Sequence, residues 1–174
     1  DDESAQLWMM RAMRLEPERH TVAVLRIEGL RRIGRTEQAL TEIDQWLTLT
    51  PDHPKAWEQR GLVFAETQRP VMARSALEHA IELNSDGSLP RSAEALAHLA
   101  AGRGDAVEAE KWFGVLQGWE PNHVDSALSR AELLHRHLDR PSDALDTLRA
   151  AARHNPEDPR LRGAIDALEN PPSD

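Results

Sequence analysis

Small and large apolar residues return at a fixed spacing along most of the chain. Five times, a small residue is followed by an apolar residue four positions later and by a third residue three positions after that. An i, i+4, i+7 stripe is the apolar face of an amphipathic helix, so the pattern predicts five helices of one kind. The five sets are Ala5/Met9/Ala12, Ala39/Ile43/Trp46, Ala73/Leu77/Ala80, Ala109/Phe113/Leu116 and Ala144/Leu148/Ala151.

Each stripe is closed by a turn or helix-breaking residue. These residues are Pro17, Pro51, Ser85, Pro121 and Pro156, so the endings are 34, 34, 36 and 35 residues apart. A further helical segment of about 12 to 14 residues precedes each of the last four stripes. The sequence therefore predicts helix pairs that recur about every 34 residues. The faces of these first helices are Ala23/Ile27/Leu30, Trp57/Gly61/Phe64, Ala93/Ala97/Ala100 and Leu128/Ala131/Leu134.

Glycine and proline support the same division. Gly34 and Gly104 lie where the two helices of a pair reverse direction, a position that favours a residue tolerant of positive φ. Pro54, Pro90 and Pro141 fall at or near predicted helix starts, where the missing N–H costs little.

The repeated residues resemble the tetratricopeptide repeat, and the resemblance covers nearly the whole chain. That family's pattern of Trp, Leu-Gly, Tyr, Ala, Phe, Ala and Pro is matched best by Trp57, Gly61, Phe64, Ala73, Leu77 and Ala80. The resemblance implies an all-α fold: a right-handed superhelical solenoid of antiparallel helix pairs, with about 10 helices. Arg60 replaces the usual Leu and Ser85 the usual Pro. The pair around residues 93–101 has few large residues, and we expect it to be the most loosely packed.

The pattern also gives the domain organisation. Residues 1–17 are the second helix of a truncated repeat, and residues 18–52, 53–87, 88–123 and 124–158 are repeats 1 to 4. Residues 159–169 carry Leu161, Ile165 and Leu168 at helical spacing and predict a capping helix, with a disordered tail over 170–174. Extra residues before repeat 3 (85–89) and within repeat 4 (136–141) should lengthen two loops. The leading half-repeat predicts that this single solenoid domain is a fragment of a longer protein.

Composition narrows the functions that are open to the chain. A formal net charge of -9 argues against nucleic-acid binding, which needs a basic surface. There is no Cys for thiolate chemistry, and no uninterrupted apolar stretch is long enough for membrane insertion. Arg supplies 19 of the 21 basic residues, which favours a bacterial source. We predict a soluble protein of the bacterial cytoplasm or periplasm, a choice that the sequence leaves open.

No catalytic motif stands out. Phosphate-binding loops, nucleophile elbows and the zinc-protease pattern are all absent from the sequence, so we predict no enzyme, no catalytic residue and no cofactor. Glu94 with His98 and Glu132 with His135 have helical spacing, but a helical metal site needs more such pairs. We interpret both as surface pairs and predict no metal site. Trp8 and Trp112 are the tryptophans that we expect to be partly exposed.

The resemblance places a binding groove along the first helix of each pair. Carried over position by position, the residues facing it are Thr21, Val24, Glu28, Arg31, Lys55, Glu58, Leu62, Arg91, Glu94, His98, Asp125, Leu128, Glu132 and His135. Family members that grip the C-terminal carboxylates of chaperones use Lys, Asn and Arg on three first helices. Val24, Glu28, Gln59, Arg91 and Ala95 stand at those positions here, so we predict no chaperone carboxylate clamp.

The leading functional hypothesis is a protein–protein interaction scaffold. We expect its groove to bind an extended peptide or a partner helix, within a bacterial secretion, envelope or cofactor-insertion assembly. One alternative is a regulatory or substrate-recruiting module of a larger enzyme. Another is a saccharide or small-molecule binder, for which exposed Trp8 and Trp112 would be the hallmark.

Overall fold

Helices account for the regular structure, and they follow the predicted pairs. The computed structural model describes residues 17–84 and 87–170 of the chain. Over these ranges it contains nine helices and no strand, which confirms the all-α class and the succession of helix pairs. The predicted helix over 1–17 and tail over 170–174 lie outside the described residues, apart from Pro17 and Asn170. The helices are α1 (Pro17–Arg32), α2 (Thr36–Leu49), α3 (Pro54–Glu66), α4 (Pro70–Leu83), α5 (Pro90–Gly102), α6 (Ala106–Trp119), α7 (Val124–Arg136), α8 (Pro141–His154) and α9 (Pro159–Glu169).

Three-residue turns join α1 to α2, α3 to α4 and α5 to α6, and each uses one residue with a positive φ. Gly34 (φ 73°) and Gly104 (φ 77°) do so as predicted. Gln68 has a φ of 56° at the equivalent position of the second pair, which the sequence did not predict. A side chain with a Cβ is strained in this region of φ, so the Gln68 turn stores a small cost.

Both predicted longer loops are present. The link between α7 and α8 has four residues instead of three, and Asp139 within it has a φ of 52°. The connection from α4 to α5 has six residues, whereas the connections from α2 to α3 and from α6 to α7 have four. Pro54, Pro90 and Pro141 are each the first residue of their helix, as predicted.

The chain divides into two compact units, residues 1–92 and residues 93–174. In the first unit the stripe of α2 is buried, and Ile43 and Trp46 are at most 2% exposed. The α3–α4 contact depends on Gly61: a Cβ added there would lie 2.5 Å from Cγ of the buried Leu77. The small residue therefore allows the two helices to approach closely.

The second unit has two clusters of buried side chains. Ala97 and Ala100 of α5 pack with Phe113 of α6, whose ring fills the space that the alanines leave. The other cluster combines α7 and α8 with the fully buried Leu161 of α9, which therefore covers the last pair. Among the described helices of either unit, none is both long and apolar enough to cross a bilayer.

Candidate functional site

In the first unit, α1, α3 and the first residues of α5 enclose two adjoining cavities. The smaller has a volume of about 220 Å³ and the larger about 260 Å³, and Arg91 lines both. The other residues lining the smaller cavity are Glu28, Arg31, Arg32 and Glu66, and those lining the larger cavity are His20, Thr21, Val24, Lys55 and Glu58. We call the two together the charged groove.

The charged groove includes most of the residues that the sequence predicted for this part of the chain. Of the eight residues proposed on α1, α3 and the start of α5, seven line one or both cavities. The exception is Leu62, which is only 8% exposed and belongs to the core. Sequence reasoning missed His20, Arg32 and Glu66. His20 and Arg32 lie beside predicted groove residues on α1, so the helical period could have indicated them.

Two of the three arginines of the smaller cavity, Arg31 and Arg91, are bound by side chains far away in sequence. Arg31 is 10% exposed; its Nε donates to Glu66 at 3.0 Å and its Nη1 to Gln59 Oε1 at 2.9 Å. Arg91 forms an ion pair with Glu28, 63 residues earlier in the chain. Arg32 is exposed and forms no ion pair within the described ranges. The smaller cavity therefore carries three cations against two carboxylates.

The larger cavity contains one buried carboxylate. Glu58 is 1% exposed, accepts from Lys55 Nζ at 3.0 Å and accepts from Ser92 Oγ at 3.2 Å. A buried charge is tolerated when it is paired and hydrogen-bonded, and both conditions hold here. Glu58 was predicted as a groove residue, but its charge is already neutralised by Lys55. Apart from Glu58, the cavity is lined by His20, Thr21, Val24, Lys55 and Arg91.

His20, which lines the larger cavity, is paired with a second histidine, His53. His53 Nε2 lies 3.2 Å from His20 Nδ1, so one ring donates an N–H to the other. Both rings contact Trp46, with centroid distances of 5.6 Å for His20 and 4.8 Å for His53. Burial, reinforced by His20, lowers the pKa of His53 to about 4. His53 is therefore neutral at pH 7, in keeping with its place beside the indole ring.

In the second unit a larger cleft of about 360 Å³ lies between α7 and α9. Its lining combines apolar side chains with the exposed Glu132–Arg136 ion pair, whose charged atoms are 2.9 Å apart. Three residues predicted from the sequence, Leu128, Glu132 and His135, line it. The remaining lining residues are Ala131, Arg136, Leu148, Ala164, Ala167 and Leu168. The three from α9 were missed because the prediction considered only first helices and not the cap. We call this cleft the cap cleft.

The three other predicted groove residues do not line any of these cavities. Glu94 Oε1 lies 3.9 Å from His123 Nε2, and Asp125 accepts from Arg160 Nη1 at 2.6 Å. The exposed ring of His98 meets Phe113 edge to face, with centroids 5.4 Å apart. Glu94, Asp125 and His98 therefore each contact a different neighbouring side chain and do not form a common site.

Two other candidate chemistries are metal ligation and stacking on an exposed tryptophan. No group of three or more His, Asp or Glu side chains suited to a metal occurs between residues 17 and 84 or between 87 and 170. Trp112 is half-buried; its Nε1 is buried without a hydrogen-bond partner, and Lys111 Nζ lies 5.4 Å from its ring. Trp8 lies outside the described residues.

Comparison with known proteins gives the fold and no more. No protein-family model and no curated protein matches the chain. Among solved structures, PilF of Pseudomonas aeruginosa matches with a TM-score of 0.70 and 17% identity, over 87% of this chain and 68% of PilF. YrrB, described as a TPR protein with an unusual peptide-binding site, matches at 0.66 and 14% identity, over 84% and 74%. MamA matches at 0.66 and 14% identity, over 99% and 90%. The chain therefore has the tetratricopeptide-repeat fold that its residue pattern predicts.

Proposed function

We propose that the chain is a protein–protein interaction scaffold whose first helices bind an extended peptide or a partner helix. The observation that carries the proposal is the coincidence between positions predicted from sequence and cavities in the structure. Seven predicted residues line the charged groove and three line the cap cleft. We further propose that it works within a bacterial secretion, envelope or cofactor-insertion assembly, by analogy with the repeat family; the arginine-rich composition supports a bacterial source.

The chemistry of the two sites suits a peptide. Apolar walls accept side chains, while charged groups at the edge select and orient them. The charged groove has ion-paired side chains that offer hydrogen bonds, and the cap cleft has an apolar floor of Leu148 and Ala131. YrrB, which has the same fold, is described as having a peptide-binding site, and this likeness supports the proposal by analogy.

The described residues do not favour the alternatives. A saccharide platform needs an exposed aromatic face, whereas Trp112 packs against the cluster around Phe113 and is covered on one side by Lys111. A recruiting module of a larger enzyme would use the same grooves, so it is a context for the proposed activity and not a competing chemistry.

Selection of random twelve-residue peptides displayed on yeast, with the purified chain as bait, tests the proposal. Two blocking variants place an arginine side chain into a cavity at an exposed position: Thr21→Arg in the charged groove and Ala167→Arg in the cap cleft. Two controls carry the same substitution outside both sites: Val71→Arg on α4, 82% exposed, and Gly163→Arg on α9.

We expect enriched peptides to lose binding to at least one blocking variant and to keep binding to both controls. Enriched peptides that bind all four variants equally would exclude the grooves as the site. A selection that yields no peptide at all would count against peptide binding itself.

A further inference from the structure

The two cavities of the charged groove share Arg91 but differ in what lines them. Every side chain of the smaller cavity is charged. The larger cavity is lined by His20, Thr21, Val24, Lys55, Glu58 and Arg91, and it has the more apolar surface; Glu58 is buried and paired with Lys55. A polar cavity next to a more apolar one suits a ligand that presents a charged group beside an apolar side chain.

The sign of that charged group follows from the lining of the smaller cavity. Three arginines face two glutamates there, although the chain as a whole has a net charge of -9. Glu66 is taken up by Arg31, and Glu28 by Arg91. Arg32 is left without an ion pair among the described side chains. An anionic group placed between Arg32 and Arg91 would balance this excess.

Glu28 occupies a position that such an anion would need. Its carboxylate pairs with Arg91, whose side chain is 45% exposed and stands between the two cavities. The Glu28 side chain is 21% exposed, so both partners of the pair reach solvent. Ion pairs that reach solvent contribute modestly to stability, so Glu28 can exchange its partner for water at modest cost. An incoming carboxylate would leave Arg91 compensated, because one anion replaces another.

We propose that the charged groove binds a peptide segment with an acidic side chain close to an apolar one, and that Glu28 is a resident competitor for the acidic side chain. The acid binds Arg91 and Arg32, and the apolar side chain enters the cavity beside Val24. In an extended segment, residues two apart present their side chains on the same side, about 7 Å from each other. This inference rests on the proposed function and specifies its ligand.

The chain offers a matched control for the competitor. Arg26 and Glu42 form a second Arg–Glu pair that also involves α1, with Nη2 and Oε1 2.5 Å apart. Neither residue lines the charged groove. Glu42→Gln therefore removes the same charge and the same kind of ion pair as Glu28→Gln, without freeing a groove arginine.

The test uses peptides selected by yeast display on the whole chain, followed by fluorescence anisotropy with the synthetic consensus peptide. We expect the selected sequences to be enriched in Asp or Glu within three positions of Leu, Ile, Val or Met. Glu28→Gln should bind the consensus peptide about three to ten times more tightly, and Glu42→Gln should bind it like the parent chain. Arg91→Gln should bind at least about ten times more weakly, as should the parent chain with a peptide in which Gln replaces the acid. Far-UV circular dichroism verifies that each variant is folded.

Two results separate the inference from the proposed function. In the first, Thr21→Arg abolishes binding of the selected peptides but these carry no acidic enrichment, or Glu28→Gln leaves their affinity unchanged or weaker. The inference then fails and the scaffold proposal stands. If Thr21→Arg has no effect on any selected peptide, or if no peptide is selected, the charged groove is not a peptide site and the inference falls as well.

Discussion

Adding one methyl group at Gly61 tests how closely α3 and α4 pack. The new Cβ would lie 2.5 Å from Leu77 Cγ, 2.7 Å from its Cδ2 and 3.1 Å from its backbone nitrogen. Carbon atoms in contact prefer about 3.5–4.0 Å, so Leu77 or the α4 backbone must move by roughly 1 Å. Leu77 is fully buried, which leaves its side chain no open space to enter. Forcing an extra group into such a core costs about 1–3 kcal/mol.

The methyl group also has a favourable effect, which a second variant isolates. Alanine is a better helix former than glycine by about 1 kcal/mol in a helix interior. Gly29 is an exposed glycine in the middle of α1, and a Cβ there meets nothing within 4 Å. Gly29→Ala should therefore stabilise the chain by roughly 0.5–1 kcal/mol. The difference in unfolding free energy between Gly61→Ala and Gly29→Ala then measures the packing cost alone.

Urea unfolding followed by far-UV circular dichroism gives the measurement, with the slopes compared to ensure that the same transition is observed. We expect Gly61→Ala to be less stable than Gly29→Ala by about 1–3 kcal/mol. The cost should shrink in a Leu77→Ala background, where the clashing side-chain atoms are absent. Equal stability of Gly61→Ala and Gly29→Ala would refute the close approach of the two helices.

Three further predictions concern caps, turns and pH. The His53 pKa is about 4 when folded against 6.5 for the ordinary group, so the unfolded chain takes up the proton first and stability falls between pH 7 and pH 4. Between pH 7.5 and 5 the free energy of unfolding should fall by about 2 kcal/mol because of His53. His53→Asn should lose that part of the pH dependence in urea titrations. Gln68→Gly should raise the free energy of unfolding by roughly 0.5–1 kcal/mol, because glycine adopts a positive φ without strain. Gln68→Ala should leave it unchanged, and a stabilising alanine would contradict the reasoning. Asp105→Ala should cost about 1 kcal/mol in thermal unfolding because its side chain caps α6, while Arg35→Ala, at an N-cap without a side-chain hydrogen bond, should be neutral.

The helices were predictable because their signal is periodic and local. Ala39, Ile43 and Trp46 share one face at i, i+4, i+7, and all three are buried. Gly34 was predictable as a turn because glycine is the residue that adopts positive φ without strain. Gln68 adopts the same conformation one repeat later with no such signal in its side chain, since the neighbouring helices impose the turn.

The candidate site was predictable in position but not in its interactions. The resemblance placed Glu28 and Arg91 in the groove, yet their pairing joins residues 63 apart and depends on the angle between helices. Glu58 resembles any exposed helical glutamate in sequence, yet it is buried and accepts a hydrogen bond from Ser92, 34 residues later. Arg32 was not proposed, because only the family's own groove positions were carried over, and its place one turn after Glu28 on the same helix face was not used.

The Arg91–Glu28 ion pair has a consequence for how the first unit folds. Repeat arrays are usually treated as a row of units in which each couples only to its immediate neighbours. This pair links the first helix of the third pair directly to the first helix of the first pair, past the pair between them. A partly unfolded state with α3 and α4 open would lose this link together with the packing of α3 against α1 and α2. Cooperativity in the first unit therefore includes a term between next-nearest neighbours, and the stability of α1 becomes sensitive to a residue at the start of α5.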